Sequence, residues 1–164
     1  MGELANHPCI LKPPLAVTVT NWNQLNTLNT TVTEITVANN SLNDAPPTVL
    51  DLSRFRRLKK IMIGDECFMH VDELRLIGLS ELKSVEIGMC SFTKHKSNYG
   101  NDPNRHFYLK DCPKLKSLKM GRYSFSDYTV IEIENVNALE VIEMGDYNFA
   151  YASLELKSIL IHSE

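Results

Sequence analysis

The chain has 164 residues, a length that suits one domain with a hydrophobic core. Its 43% hydrophobic and 23% charged residues exclude a disordered chain, a collagen and a coiled coil. The formal net charge of -3 gives no general attraction for nucleic acid or an anionic membrane, and no apolar run approaches the roughly 18 residues of a membrane helix. We therefore expect neither nucleic acid nor a membrane as a partner.

The N-terminal segment, residues 1–31, differs in pattern from the rest of the chain. It lacks the basic stretch followed by a long apolar stretch that is typical of a secretory signal. This favours an intracellular protein and leaves a surface or secreted form open. Val17 and Val19 alternate with polar residues, as in a strand. Because repeat proteins need covered ends, we interpret residues 1–31 as an N-terminal cap segment.

Four glycines mark an internal repeat in the remainder of the chain. They lie 24, 33 and 24 residues apart, and each follows a short apolar pair. A phenylalanine stands four positions after each of them. The glycines are Gly64, Gly88, Gly121 and Gly145, and the phenylalanines are Phe68, Phe92, Phe125 and Phe149. The interval of 33 is 24 plus 9, which predicts an insertion in one repeat, at 93–106.

A leucine pattern extends each of these units. The segment VTEITVANNSL, from Val32 to Leu42, has the form L-x-x-L-x-L-x-x-N-x-L, and later units keep its first half. This pattern resembles the leucine-rich repeat family, in particular its 24-residue BspA-like and protist-type repeats. The resemblance implies five to six leucine-rich repeats over residues 32–164. It also implies a leucine-rich-repeat solenoid with a parallel sheet on its concave side, a face that commonly binds proteins.

A second alternating trio lies in each repeat. Period two predicts a short strand, here on the convex side, because the segments between the trios are too short for a helix of mean length, about 11 residues. The predicted fold is therefore β-rich, with few or short helices. The trios are Leu50-Asp51-Leu52, Leu74-Arg75-Leu76, Phe107-Tyr108-Leu109, Ile131-Glu132-Ile133 and Leu154-Glu155-Leu156.

The repeated glycines and phenylalanines have structural interpretations. Glycine is the default residue where a turn needs a positive φ, so we predict that the glycines supply that angle, with a flat ligand surface as the weaker alternative. The phenylalanines are predicted to form a column in the core. The asparagine of the motif is present only at Asn40, which puts a continuous asparagine ladder in doubt.

Motifs for catalysis and for cofactor or metal binding are missing from the sequence. It contains no nucleophile elbow, phosphate-binding loop, dinucleotide fingerprint or zinc-protease helix motif. The four cysteines lack the C-x-x-C spacing of zinc sites. We therefore expect a protein that is not an enzyme, with no catalytic residues, no cofactor and no metal.

The predicted binding surface has two parts. The first is the outward side of the predicted main sheet, where two neighbouring columns of residues face solvent, with Met62, Glu86, Lys119 and Glu143 in one and Met89 and Arg122 in the other. The second is the locally basic insertion, predicted as turns and loop, with Lys94, Lys96, Tyr99 and Arg105 as contacts for an acidic partner. Two alternatives stay open: cross-strand charge pairing that only stabilises the sheet, and an insertion without function.

These features predict a protein-protein interaction module with a protein partner of unknown identity. The alternative is a structural piece of a longer repeat array, or of a surface or adhesin-type protein. It would self-associate through apolar residues near the C-terminus, because an uncovered edge strand invites pairing with another chain. The possible homo-oligomer contact is formed by Leu156, Ile159 and Ile161.

Overall fold

The computed structural model describes residues 12–44, 47–95, 102–149 and 152–157. Eleven strands and one short helix occur in this part of the chain. In chain order they are β1 (Ala16–Val19), α1 (Trp22–Thr27), β2 (Glu34–Val37), β3 (Val49–Asp51), β4 (Lys60–Ile63), β5 (Glu73–Ile77), β6 (Ser84–Ile87), β7 (Asp102–Lys110), β8 (Ser117–Met120), β9 (Tyr128–Glu134), β10 (Val141–Met144) and β11 (Ser153–Lys157).

The strands form two parallel sheets. One has six strands in the order β1-β2-β4-β6-β8-β10, and the other has five in the order β11-β9-β7-β5-β3. From β2 onward the chain alternates between the two sheets, so each repeat contributes one strand to each. The result is a flattened coil in which successive turns lie one strand spacing apart, about 4.8 Å.

The predicted fold class, a leucine-rich-repeat solenoid, is wrong. The trios assigned to short convex strands instead build a complete second sheet, in which Leu74, Phe107 and Ile131 are register partners. Strand β7 has nine residues, whereas the strands of the six-stranded sheet have four. Each repeat contributes two strands, one to each sheet, and in both strands every second side chain is buried. Two sheets with such apolar faces pack against each other as stacked layers. Period-two alternation predicts strands, but it does not predict how many sheets they form.

The core lies between the sheets. The inward residues Ile35, Ile61, Val85 and Leu118 come from consecutive turns of the coil and are all buried. Phe68, Phe92 and Phe125 are also buried, and their rings stack at centroid distances of 5.0 and 4.7 Å. The predicted phenylalanine column is thus confirmed for these three, and the partly buried Phe149 continues it. Each buried ring stabilises the fold by roughly 1.5–3 kcal/mol relative to an exposed one.

Two kinds of connection join the sheets. The glycine connection runs from the six-stranded to the five-stranded sheet and contains the repeated glycine and phenylalanine. The short connection runs back and carries two buried apolar residues three apart, such as Leu79 and Leu82. Positive φ angles occur in both connections, at residues such as Glu66 and Phe68 in the first and Gly78 in the second.

The predicted role of the repeated glycines is wrong. None of Gly64, Gly88, Gly121 and Gly145 has a positive φ. They are needed because neighbouring turns approach closely: a Cβ on Gly88 would lie 2.5 Å from the backbone carbon of Gly64, and one on Gly121 would lie 2.5 Å from the backbone nitrogen of Met89. Contacts that short do not exist between real side chains and backbone, so only glycine permits this spacing.

In the glycine connection, polar side chains form hydrogen bonds with backbone N–H and C=O groups. They take the place of the asparagine ladder of leucine-rich repeats. Asn40 itself is a left-handed residue, with φ of 54°. The preceding Asn39 accepts a hydrogen bond from the Asp65 N–H (2.8 Å), and Asp65 in turn accepts one from the Met89 N–H (2.7 Å). Ser91 accepts from the Cys67 N–H and donates to the Gly64 carbonyl, so these turns keep their hydrogen bonds although buried.

Residues 12–31 add a strand and a helix to the first turn of the coil. Strand β1 pairs with β2, and Asn21 caps α1 by accepting a hydrogen bond from the Gln24 N–H. Leu25 of the helix is buried, and the Trp22 ring contacts the Phe68 ring edge-on at 5.5 Å. Within the described ranges, no helix is long and apolar enough to cross a membrane.

Candidate functional site

One outward column of the six-stranded sheet brings together four residues predicted to bind a partner. Met62, Glu86, Lys119 and Glu143 are register partners on β4, β6, β8 and β10. We call this column the sheet face. The Lys119 ammonium lies 3.1 Å from a Glu143 carboxylate oxygen, and both side chains are solvent-exposed. An exposed pair of this kind adds only about 0.2–1 kcal/mol to stability.

The other two predicted residues, Met89 and Arg122, lie beside the sheet face, at the start of the glycine connection. Each directly follows one of the repeated glycines, Gly88 or Gly121, so the close stacking of those glycines fixes the spacing of the two side chains. Met89 is half-exposed, and Arg122 is exposed. All six residues predicted for the sheet therefore lie on one continuous surface.

Arg122 rests on two stacked tyrosine rings. Its guanidinium carbon lies 4.9 Å from the Tyr123 ring centroid and 5.6 Å from that of Tyr147. The two rings are nearly parallel, with centroids 4.8 Å apart, because both residues are left-handed at the same position of successive turns. We call these three residues the Arg122 platform.

The guanidinium of Arg122 has no carboxylate within 4 Å among the residues that the structure describes. Asp146 follows it by one turn of the coil, but it is the backbone carbonyl of that residue that accepts a hydrogen bond, from the Tyr123 N–H. Stacking on tyrosine supports the flat side of a guanidinium and leaves its N–H edge able to donate two parallel hydrogen bonds to one carboxylate. The Arg122 platform thus combines an available cation with exposed aromatic surface.

The repeat pattern alone does not single out the tyrosines of this platform. Tyr123 and Tyr147 stand at the repeat position where the motif has asparagine. Two aromatic residues at one repeat position, with an arginine beside them, could have predicted a ring stack, because equivalent residues of adjacent turns lie about 4.8 Å apart.

Arg105 corrects the prediction for the insertion. Residues 102–106 belong to strand β7 rather than to a loop, with a register irregularity between Asp102 and His106. Arg105 is fully buried, with 0% exposure, so a partner has no access to it. Lys94 is exposed, whereas Lys96 and Tyr99 lie outside the described residues.

The buried Arg105 has a structural environment instead. One of its terminal nitrogens donates to the carbonyls of Met69, Val71 and Phe92, at 3.0, 2.8 and 3.2 Å. The other lies 3.5 Å from a carboxylate oxygen of Asp127, which is also buried. That same Asp127 oxygen accepts hydrogen bonds from the backbone of Lys94 and His95. The ion pair therefore holds both ends of the insertion together.

The thiols of the core are poor nucleophiles and metal ligands. Burial raises the pKa of Cys112 to about 11 and also raises the pKa of Cys67, so both thiols are protonated at neutral pH. Among the described residues, no group of three or more His, Cys, Asp or Glu side chains could hold a metal ion.

The outward face of the five-stranded sheet carries charges that pair with one another. Arg75 bonds Glu73, and Lys110 bonds Glu132 and lies 3.6 Å from Glu134. The hydrogen bond to Glu132 raises the pKa of Lys110, as expected for an ammonium beside a carboxylate. Because these cations already have partners, this face is less suited than the Arg122 platform to bind a new acidic group.

Comparison of the chain with protein-family models, curated proteins and solved structures gives no match. The geometry of the chain's own residues is therefore what indicates a function.

Proposed function

We propose that the chain is a protein-interaction module and that the Arg122 platform, with Met89 and the sheet face beside it, is its binding surface. The observation that carries the proposal is the exposed guanidinium that lies on stacked tyrosines and has no carboxylate partner in the described chain. Tyrosine, arginine and methionine are the residue types that are enriched at protein interfaces.

The rigidity of this surface supports the same proposal. Strands β4, β6, β8 and β10 hold the sheet face, and the glycine contacts lock the turns that follow these strands. A preorganised surface loses little conformational entropy on binding, so more of its contact energy appears as affinity. Met89 adds a flexible apolar contact beside the platform, and Met62 adds one farther along the sheet face.

The partner's chemistry follows from the charges of the platform. A protein segment with an Asp or Glu side chain would receive bidentate hydrogen bonds from Arg122, and an apolar neighbour in that segment would cover the half-exposed Tyr147. Lys119 is less available than Arg122 because Glu143 already neutralises it. The proposed partner is thus an acidic segment of another protein.

A random-peptide display selection tests this proposal. Immobilised chain is expected to select peptides that carry an acidic residue next to an aromatic or aliphatic one. Arg122→Glu should then abolish binding of a synthesised, selected peptide, because the substitution places like charges in contact. The measurement is the dissociation constant by isothermal titration.

Arg57→Glu is the matched control. Arg57 is exposed like Arg122, and its substitution by Glu changes the net charge by the same two units. However, Arg57 lies in a short connection, at the opposite end of the strands from Arg122. Its substitution should leave the dissociation constant nearly unchanged. If Arg57→Glu and Arg122→Glu weaken binding equally, only the net charge is recognised and the platform is not the binding site.

A further inference from the structure

The last described turn of the coil exposes residues whose counterparts in the preceding turns, from β2 to β9, are buried. Ile142 occupies the inward position held by Leu118, Val85 and Ile61, yet it is 44% exposed. Leu156 of β11 is the register partner of Ile133, which is 6% exposed, but is itself 62% exposed. Met144 is likewise exposed although its register partner Met120 is buried. We call Ile142, Met144 and Leu156 the open end.

The backbone at this end is also open on one side. Strand β10 is the last strand of its sheet and β11 the last of the other, so in the described chain each is paired along only one edge. Two cavities of about 170 and 240 Å³ lie between these strands, and both are lined by Ile142 and Leu156. Exposed apolar surface beside an unpaired strand edge is typical of a surface that pairs with another chain.

The opposite end of the coil differs. There α1 adds the buried Leu25, and the inward Val19 of β1 is fully buried. The strands at that end, β1 and β3, are edge strands too and Val17 is only partly buried, but α1 packs against the adjoining core. A head-to-tail contact would therefore place the apolar residues of the open end against an end whose inward residues are better covered. The matching surface is another open end.

The charges of β11 favour such a pairing. Glu155 and Lys157 point to the same side of the strand, flank Leu156 and lie 2.9 Å apart. In an antiparallel pair centred on Leu156, Glu155 of each copy faces Lys157 of the other copy, and the two Leu156 side chains face each other. The strand is thus complementary to itself in both charge and polarity.

We propose that a second copy of this chain docks on the open end, with β11 pairing antiparallel to β11 about Leu156. The contact is isologous, so the same surface serves both copies and the assembly closes as a dimer. Ile159 and Ile161, which the sequence also suggests for self-association, lie outside the described residues.

A charge-exchange experiment tests the proposal by sedimentation velocity over a dilution series. The unmodified chain is expected to show a monomer-dimer equilibrium. Leu156→Lys should leave only monomer, and its melting temperature should stay within a few degrees of the parent because the side chain is exposed. Glu155→Lys and Lys157→Glu should each weaken the dimer about tenfold, since each places like charges opposite each other twice.

Mixing the two charge variants distinguishes this pairing from other modes of association. One copy then presents two lysines and the other two glutamates, so an antiparallel heterodimer restores both contacts and should be as tight as the parent dimer. A mixture no tighter than either variant alone would overturn the proposed register. A parent chain that stays monomeric throughout the series, or a Leu156→Lys variant that still dimerises, would overturn the contact itself. Arg122→Glu should leave the dimer unchanged, which separates this interface from the proposed binding surface.

Discussion

The two connections between the sheets use glycine and positive φ angles in opposite ways. In the short connection the left-handed position is held by Gly78, Asp111 and Asn135, residue types that tolerate this conformation. In the glycine connection the left-handed positions are held by large residues, among them Phe92 and Phe125, while the glycine adopts an ordinary φ. There, close packing of successive turns requires glycine, and burial of the rings offsets the cost of the left-handed angle.

This difference matters for the candidate site, because the Arg122 platform belongs to the glycine connection. Tyr123 and Tyr147 are themselves left-handed residues, and their rings stack because the turns approach so closely. The packing that constrains the sequence there is also the packing that positions the proposed binding surface. Substitutions in the two connections test this comparison directly.

The largest effect is expected from removing a ring of the phenylalanine column. Phe125→Ala should lower the free energy of unfolding by about 3–5 kcal/mol, because it leaves a cavity among stacked rings. Phe125→Leu is the control and should cost less than about 1.5 kcal/mol, since Leu42 occupies the equivalent left-handed position. Denaturant unfolding measures both values, and equal losses would contradict the role of the ring stack.

The buried ion pair at the end of the glycine connection comes next. Asp127→Asn keeps the acceptor for the Lys94 and His95 amides but leaves the buried Arg105 charge with only the more distant and partly exposed Asp72 carboxylate, 3.9 Å away, which should cost about 3 kcal/mol. Asp146→Asn removes the same charge at an exposed site and should change stability little. If the two variants unfold at the same denaturant concentration, Asp127 does not compensate the charge of Arg105.

The two glycine types give the sharpest contrast between the connections. Gly88→Ala should destabilise the fold by about 1–3 kcal/mol, because the new Cβ overlaps the backbone of the preceding turn. Gly78→Asn should be tolerated within about 1 kcal/mol, since asparagine already holds the same left-handed position at Asn135 and the new Cβ would meet only the flexible Arg56 side chain. The reverse ranking in thermal unfolding would refute the distinction.

The smallest expected effect is a gain in stability. Glu66 is exposed and has a φ of 55°, so Glu66→Gly removes backbone strain and should stabilise the fold by about 0.5 kcal/mol after the entropy cost of glycine. Glu140→Gly, at an exposed residue without a positive φ, should instead destabilise by about 0.5–1 kcal/mol. Opposite signs in the two melting temperatures are the predicted result.

The sequence predicts the repeat and its inward residues well, because a period-two alternation states which side chains face the core. It does not predict that both strands of each repeat belong to a full sheet. Nor does it predict that Gly88 is required by the close approach of neighbouring turns rather than by a positive φ. Both properties depend on the distance between turns that are 24 residues apart in sequence. The second sheet overturns the fold class that the leucine pattern suggested.

The candidate site was predicted in part for a similar reason. Lys119 stands at an outward position that the alternation identifies, Arg122 directly follows a repeated glycine, and the structure places the two on one surface. The sequence predicts Arg105 in a basic loop, because nothing in a polar segment distinguishes a buried arginine from an exposed one. Its partner Asp127 is 22 positions away in sequence, so only the folded chain brings the two together.

The most direct test of the proposed binding surface is the affinity of a selected acidic peptide for the Arg122→Lys variant, measured by titration beside the parent chain. Lysine keeps the charge but loses the flat guanidinium that stacks on Tyr123 and Tyr147 and donates two parallel hydrogen bonds. We expect the dissociation constant to rise about tenfold, which corresponds to about 1.4 kcal/mol, while the melting temperature is unchanged. Equal affinity of the two proteins would contradict recognition by the Arg122 platform.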